Sequence, residues 1–284
     1  MKKVILIFCL LACGFIPQVN AQNVLDGVYI KEHTPLRRVT PLCYLREADI
    51  MWARRIWRVI DLREKINVPL KYPSHDDTKD RKSLMDILFD AVSEGTLTAY
   101  DPIDDEFTKP MTLEEFNKHG GAKVDTVQIP IDPNNPDITM DTVIAKEFQF
   151  QYIVQYRVKE DVFFDKQRSV IETRIIGLAP LIYDLDDQGN IRENSKPIPV
   201  CWFYFPETRK VLSNNEVFNR QNDAERRTFD DIFMKRLFNS YIIKESNEYN
   251  RRIEDYKTNP MDALLEAERI KNDIINLEHD MWEY

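Results

Sequence analysis

Leu45 to Pro73 reads LREADIMWARRIWRVIDLREKINVPLKYP, a stretch without glycine and without proline before Pro69. Wound at about 100° per residue, Leu45, Ala48, Trp52, Ile56, Val59 and Ile66 fall in one narrow arc, which predicts a long helix with an extended, proline-bearing exit. Ile50 and Trp57 fall on roughly the opposite side, beside Arg54 and Asp61. A helix that covers one core has no use for a tryptophan on its back. Either it is sandwiched inside its own domain, or its second stripe meets another protein. Trp52, Arg54, Arg55 and Trp57 are therefore interface candidates.

Working outward, Ser83 to Ser93 has Leu84, Ile87, Leu88 and Val92 on one helical face, ended by Gly95. Thr112 to Lys118 reads as a short helix with Glu115 at the capping-box spacing. From Val124 the period changes. Ile129 to Pro136 (IPIDPNNP) is expected to be loop. Phe148 to Val158 alternates as a half-buried strand, and Ser169 to Tyr183 and Val200 to Phe205 continue as strands. Thr228 to Glu245 is apolar almost all round a helical axis. Asn259-Pro260 then caps a final helix whose arc of Met261, Leu264, Ile270, Ile274, Ile275, Leu277, Met281 and Trp282 is wide enough to require burial on two sides. The expected fold class is α+β: a helical N-terminal part, a central antiparallel sheet and a helical C-terminal part, all within residues 45–284.

Residues 1–21 carry the marks of an export signal: Lys2 and Lys3, an apolar run from Val4 to Ala12, and Val19-Asn20-Ala21 as the cleavage site. A near-lipobox at Leu10 to Cys13 is the competing reading, weakened by the bulk of Leu11 and by Phe15 and Ile16 beyond it. Residues 22–44 read as an extended arm. No later segment has the roughly 20 apolar residues of a membrane span. The formal charge of −9 argues against nucleic acid and anionic membranes as main partners. Past the signal only Cys43 and Cys201 remain; they could pair in an oxidising compartment, stay as buried thiols, or bond between subunits.

Candidate chemistry is sparse. Asp184, Asp186, Gly189 and Ile191 fit four positions of a calcium loop, but Gln188 and Ser195 depart from it and the flanks read as strands, so an acidic hairpin turn is the plainer reading. The acidic run Asp101 to Glu106 could hold a carboxylate pair or be a solvated loop. His33, His75, His119 and His279 show no metal-ligand spacing, and no P-loop, nucleophile elbow or dinucleotide fingerprint occurs. Seven glycines are few for an enzyme built on tight active-site loops. The block CWFYFP, Cys201 to Pro206, is apolar at both parities, as in a strand packed in the core on both faces, the plainer reading, or one that meets a partner. That adds Trp202 and Tyr204, and with the last helix Trp282, to the interface candidates.

Three stretches, READIMWARRIWRVIDLREKINVPLKYP (Arg46 to Pro73), CWFYFPETR (Cys201 to Arg209) and DDIFMKRLFNSYIIKESN (Asp230 to Asn247), resemble the GldN/PorN family of the type IX secretion and gliding machinery of Bacteroidota. The resemblance implies a non-enzymatic periplasmic subunit without cofactors, attached to the outer membrane through a GldK/PorK-like lipoprotein in a large ring. It also implies contact with a GldM/PorM-like periplasmic domain, so that the GldL–GldM-type motor is coupled to the outer-membrane translocon. The alternative reading from the residues alone is a periplasmic hydrolase or calcium-binding module that uses the acidic loops.

Overall fold

The computed structural model describes residues 37–73, 75, 81–132, 135–146, 148–183, 191–192, 195–222 and 224–281. The expected long helix at Leu45 to Ile66 is not there. A single 3-10 turn at Glu47–Asp49 leads into strand β1, Ile50–Asp61. β1 is an internal strand that carries apolar residues at both parities because both of its faces are covered: Trp52 and Ile56 lie on one face, Trp57 and Val59 on the other. Helix propensity in the arginine-rich segment is overridden by strand pairing on either side.

β1 pairs antiparallel with β5 (Ile153–Asp165) along one edge and with β9 (Tyr241–Glu245) along the other. β6 (Val170–Ile182) lies beyond β5, followed by β8 (Trp202–Tyr204) and β2 (Ala99–Tyr100), and β7 (Ile198–Pro199) also pairs with β6. The order β2-β8-β6-β5-β1-β9, with β7 beside β6, makes a seven-stranded antiparallel sheet, as the alternation in the middle of the sequence predicted. One of its internal strands, β1, next to the β9 edge, however, comes from the supposedly helical N-terminal part. The strand expected from Phe148 begins only at Ile153, after a 3-10 turn at Phe150–Tyr152.

Two further expectations are overturned. Ile129 to Asp132 is not loop but the end of β3 (Lys123–Asp132), which pairs with β4 (Asn135–Lys146) in a separate ribbon. In a two-stranded ribbon each strand is an edge, so Pro130 can stand opposite Thr139 without breaking a shared ladder. Thr228 to Glu245 is not one helix either: it is α5 (Phe229–Met234) and then β9. Arg236, in the left-handed region at φ 53°, ends the helix, and Leu237 N–H bonds back to Ile232 O.

Cross-strand partners share a face of the sheet. Phe203, Leu178, Val158, Arg58 and Ile242 form one row, and Tyr204, Gly177, Lys159, Trp57 and Lys244 form a row on the opposite face. The first face carries the main core, where Ile60, Tyr156, Val158, Leu178 and Phe203 pack with residues of α2 (Leu84–Ser93), α4 (Phe205–Leu212) and α5. Further along it, Ile56, Val162 and Ile242 pack against Ile253 of α6 (Ile253–Tyr256) and Ala267 and Ile270 of α7 (Pro260–Asp280). The remaining helices are α1 (Val68–Lys71) and α3 (Leu113–His119).

Helix starts are set by reciprocal caps. Thr112 and Glu115 form the capping box that their spacing predicted, and Asn259 caps α7. Ser83 with Asp86 and Thr228 with Asp231 form two more. Ser83 is buried and its hydroxyl satisfies the Asp86 amide at 3.3 Å. Ser83→Ala should therefore lower the unfolding free energy by about 1 kcal/mol, read as a lower urea midpoint at unchanged slope.

Candidate interaction surface

The sequence-predicted residues separate onto the two faces of the sheet. Trp57 is buried, and packs with Ala179 and the equally buried Trp202. Its indole Nε1 donates to Asp105 Oδ2 at 2.7 Å, and the Lys244 ammonium stands 4.2 Å from its ring centroid. Lys159, 3% exposed, lies between this ring and Phe107 and pairs with Asp105 at 3.5 Å. Burial lowers the pKa of both lysines, against the pull of Asp105. The acidic run Asp101 to Glu106 thus belongs to a loop latched over this face by Asp105. Phe107, at φ 60°, fills the space left by Gly177, where a Cβ would lie 2.6 Å from its ring. Trp57 and Trp202 are internal to the chain; Tyr204, half-buried, touches Phe107 at 5.5 Å between ring centroids.

Trp52 is half-buried on the other face, against the α7 cluster. Arg54 lies over its ring at 5.8 Å and pairs with Glu245 at 2.9 Å, while Arg55 makes a two-pronged bond to Asp161 at 2.7 and 3.0 Å. Both guanidiniums are thus held by partners in neighbouring strands. Cys43 is exposed, Cys201 is fully buried, and both thiols are free; burial raises the Cys201 pKa. Trp282 and the acidic loop of Asp184, Asp186 and Gly189 lie outside the described residues.

The feature that does resemble an unfinished interface is α7. Ala267 and Ile270 are buried against the sheet, with Ala263 and Ile274 half-buried beside them. The opposite side presents Met261, Leu264, Leu265 and Ile275 at 63, 51, 62 and 51% exposure. These are the two sides that the wide apolar arc of the sequence required, and among the described residues only one is covered. The apolar arc read from the sequence includes Met261, Leu264 and Ile275 but not Leu265, and Trp282 is its one named interface candidate.

Acid–base chemistry finds less support. His75 Nδ1 lies 2.6 Å from Asp86 Oδ1, and the Ser83 hydroxyl donates to Asp86 Oδ2 at 2.7 Å. The carboxylate stands between imidazole and hydroxyl, so the histidine is not placed to take the serine proton as a nucleophilic pair requires. The same serine and aspartate form the capping box of α2 through their backbone amides. Among the described residues no group of three His, Cys, Asp or Glu side chains converges as a metal site would.

The family model described as gliding motility associated protein GldN matches residues 45–283. The chain belongs to the GldN family. A search of the curated proteins found no match. GldN is a component of the gliding-motility and type IX secretion machinery and not a known enzyme family. The matched span begins just before β1 and runs through α7, so it takes in the whole seven-stranded sheet and the outward apolar side of its last helix. No helix among the described residues of this GldN-family chain is long and apolar enough to cross a membrane.

Proposed function

We propose that this GldN-family chain is a non-enzymatic structural subunit of a periplasmic ring, exported by a signal cleaved after Ala21. In this reading it binds a GldK/PorK-like outer-membrane lipoprotein and meets a GldM/PorM-like periplasmic domain, so that the motor's work reaches the translocon. The observation that carries the reading is the uncovered apolar side of α7. Met261, Leu264, Leu265 and Ile275 keep half or more of their surface in water, on a helix whose other side is already docked. Apolar surface gathered in this way on a folded chain marks a protein contact.

The test is a crosslinked pull-down of the tagged chain from envelope membranes, with partner masses identified. The wild type should come down in large, near-stoichiometric complexes with a lipoprotein. Leu265→Glu with Ile275→Glu should keep its far-UV circular dichroism and unfolding midpoint yet lose most of that recovery. A wild type recovered as a lone monomer, or a double variant that assembles normally, would sink the proposal.

A further inference from the structure

Beside β9, the segment leading into α7 walls a cavity of about 590 Å³. Val59, Leu181 and Leu264 give it apolar walls, and among the described residues four basic side chains line it (Arg157, Lys196, Arg252 and Lys257) against one acid, Glu254. Glu254 is already committed to Lys196 at 2.7 Å and Arg252 at 3.5 Å. A basic cavity in a chain of net charge −9 is a local reversal of sign.

Arg157 is its most telling member. It stands in a cross-strand row between Val59 and Ala179, both buried, and its Nε is sealed from solvent without a hydrogen-bond partner. Among the described residues no ion pair holds it either. Burial and the neighbouring Arg252 lower its pKa to about 10. A guanidinium held this way costs folding free energy, and its planar fork fits a carboxylate. Leu264 belongs both to the cavity lip and to the outward side of α7. An occupant that reaches Arg157 therefore passes over exposed apolar surface.

We propose that this cavity docks an acidic segment of a partner protein, one carboxylate inserted against Arg157 and its flanking apolar side chains laid on Leu264. The inference rests on the assembly reading only in taking the occupant to be protein. The charge fixes the carboxylate, and the apolar lip fixes its apolar neighbours.

The probe is the capped peptide acetyl-Leu-Phe-Glu-Leu-Leu-amide, titrated into the full chain by calorimetry. Its glutamine counterpart and 3-phenylpropionate serve as comparisons. The glutamate peptide should bind saturably, the glutamine peptide about tenfold or more weakly, and 3-phenylpropionate more weakly still. Arg157→Met should lose binding by a similar factor while its thermal midpoint rises by on the order of 3 °C, because an unpaired guanidinium has been removed. Arg157→Gln, smaller and neutral, should lose binding in the same way if the methionine variant folds poorly.

No saturable binding of the glutamate peptide would overturn the proposal, as would equal binding of the glutamine peptide or of both variants. A midpoint lowered in both variants would make Arg157 an ordinary structural residue and would also overturn it. Binding of 3-phenylpropionate as tight as that of the peptide would make the cavity a small-molecule site, leaving the ring reading to the pull-down alone.

Discussion

Replacing Glu160 by glutamine should lower the unfolding free energy by about 3–5 kcal/mol, the largest loss expected of any single polar substitution in this chain. Glu160 is fully buried between the main core and the α7 cluster, and it is the shared partner of two arginines. Arg58, on β1, is 14% exposed and hydrogen-bonds one carboxylate oxygen; Arg236, at the end of α5, reaches the other at 2.9 Å. Neutralising the acid leaves Arg58 as a buried cation with nothing to balance it. Arg236, 35% exposed, can turn to water, which keeps the loss at the level of one stranded charge. Removing both charges should be milder. Glu160→Leu with Arg58→Met is expected to recover most of the stability, since apolar replacements of buried ion pairs are often neutral. Urea unfolding of the three proteins measures this, and a cost below about 1 kcal/mol for Glu160→Gln would mean that water reaches the site.

Trp57→Ala should cost the isolated chain about 3–5 kcal/mol, the range for removing a buried aromatic side chain. The indole is 8% exposed, fills the space beside Trp202 and Ala179, and fastens the Asp105 loop through its Nε1. Of the two helical readings of the sequence, the one in which the second stripe meets another protein puts Trp57 outward, and in that case the variant would keep its fold and lose only its partners. The buried and the outward placement therefore predict opposite results in one pair of measurements. A large loss of midpoint in the purified chain supports the buried indole, whereas unchanged unfolding with lost assembly would restore the interface. Trp57→Phe, which keeps one aromatic ring but loses the hydrogen bond to Asp105 and the volume of the second ring, should cost about 1–3 kcal/mol.

Legibility followed the locality of the signal. β6 was readable because Ser169 to Tyr183 alternates between two turns, and α2, α3 and α7 were readable because their caps lie within a few residues of their apolar faces. β1 was not. Its residues satisfy a helical period and a two-sided strand equally well, and only β5 and β9, far along the chain, decide between them. β9 was lost for a similar reason, as five residues after a short helix that shares its apolar content. The exposed side of α7 was legible as an arc too wide for one core. Arg157 was invisible, since alternation between Tyr156 and Val158 sends it toward water, and only the fold brings Arg252 to Leu264 across its path.

The position of β1 also governs how this chain reaches its native state. The bond from Arg55 to Asp161 spans 106 residues and that from Arg54 to Glu245 spans 191. Pairings this distant in sequence make loop closure, not local structure, the slow step, and place the chain toward the millisecond-to-second end of folding times. Until Tyr241–Glu245 arrives, β1 would present one unpaired edge beside exposed tryptophan. A chain interrupted before that point has a template for aggregation where the finished protein has a strand paired on both edges. Folding control in this protein thus falls to whatever shields its first strand until its last one is available.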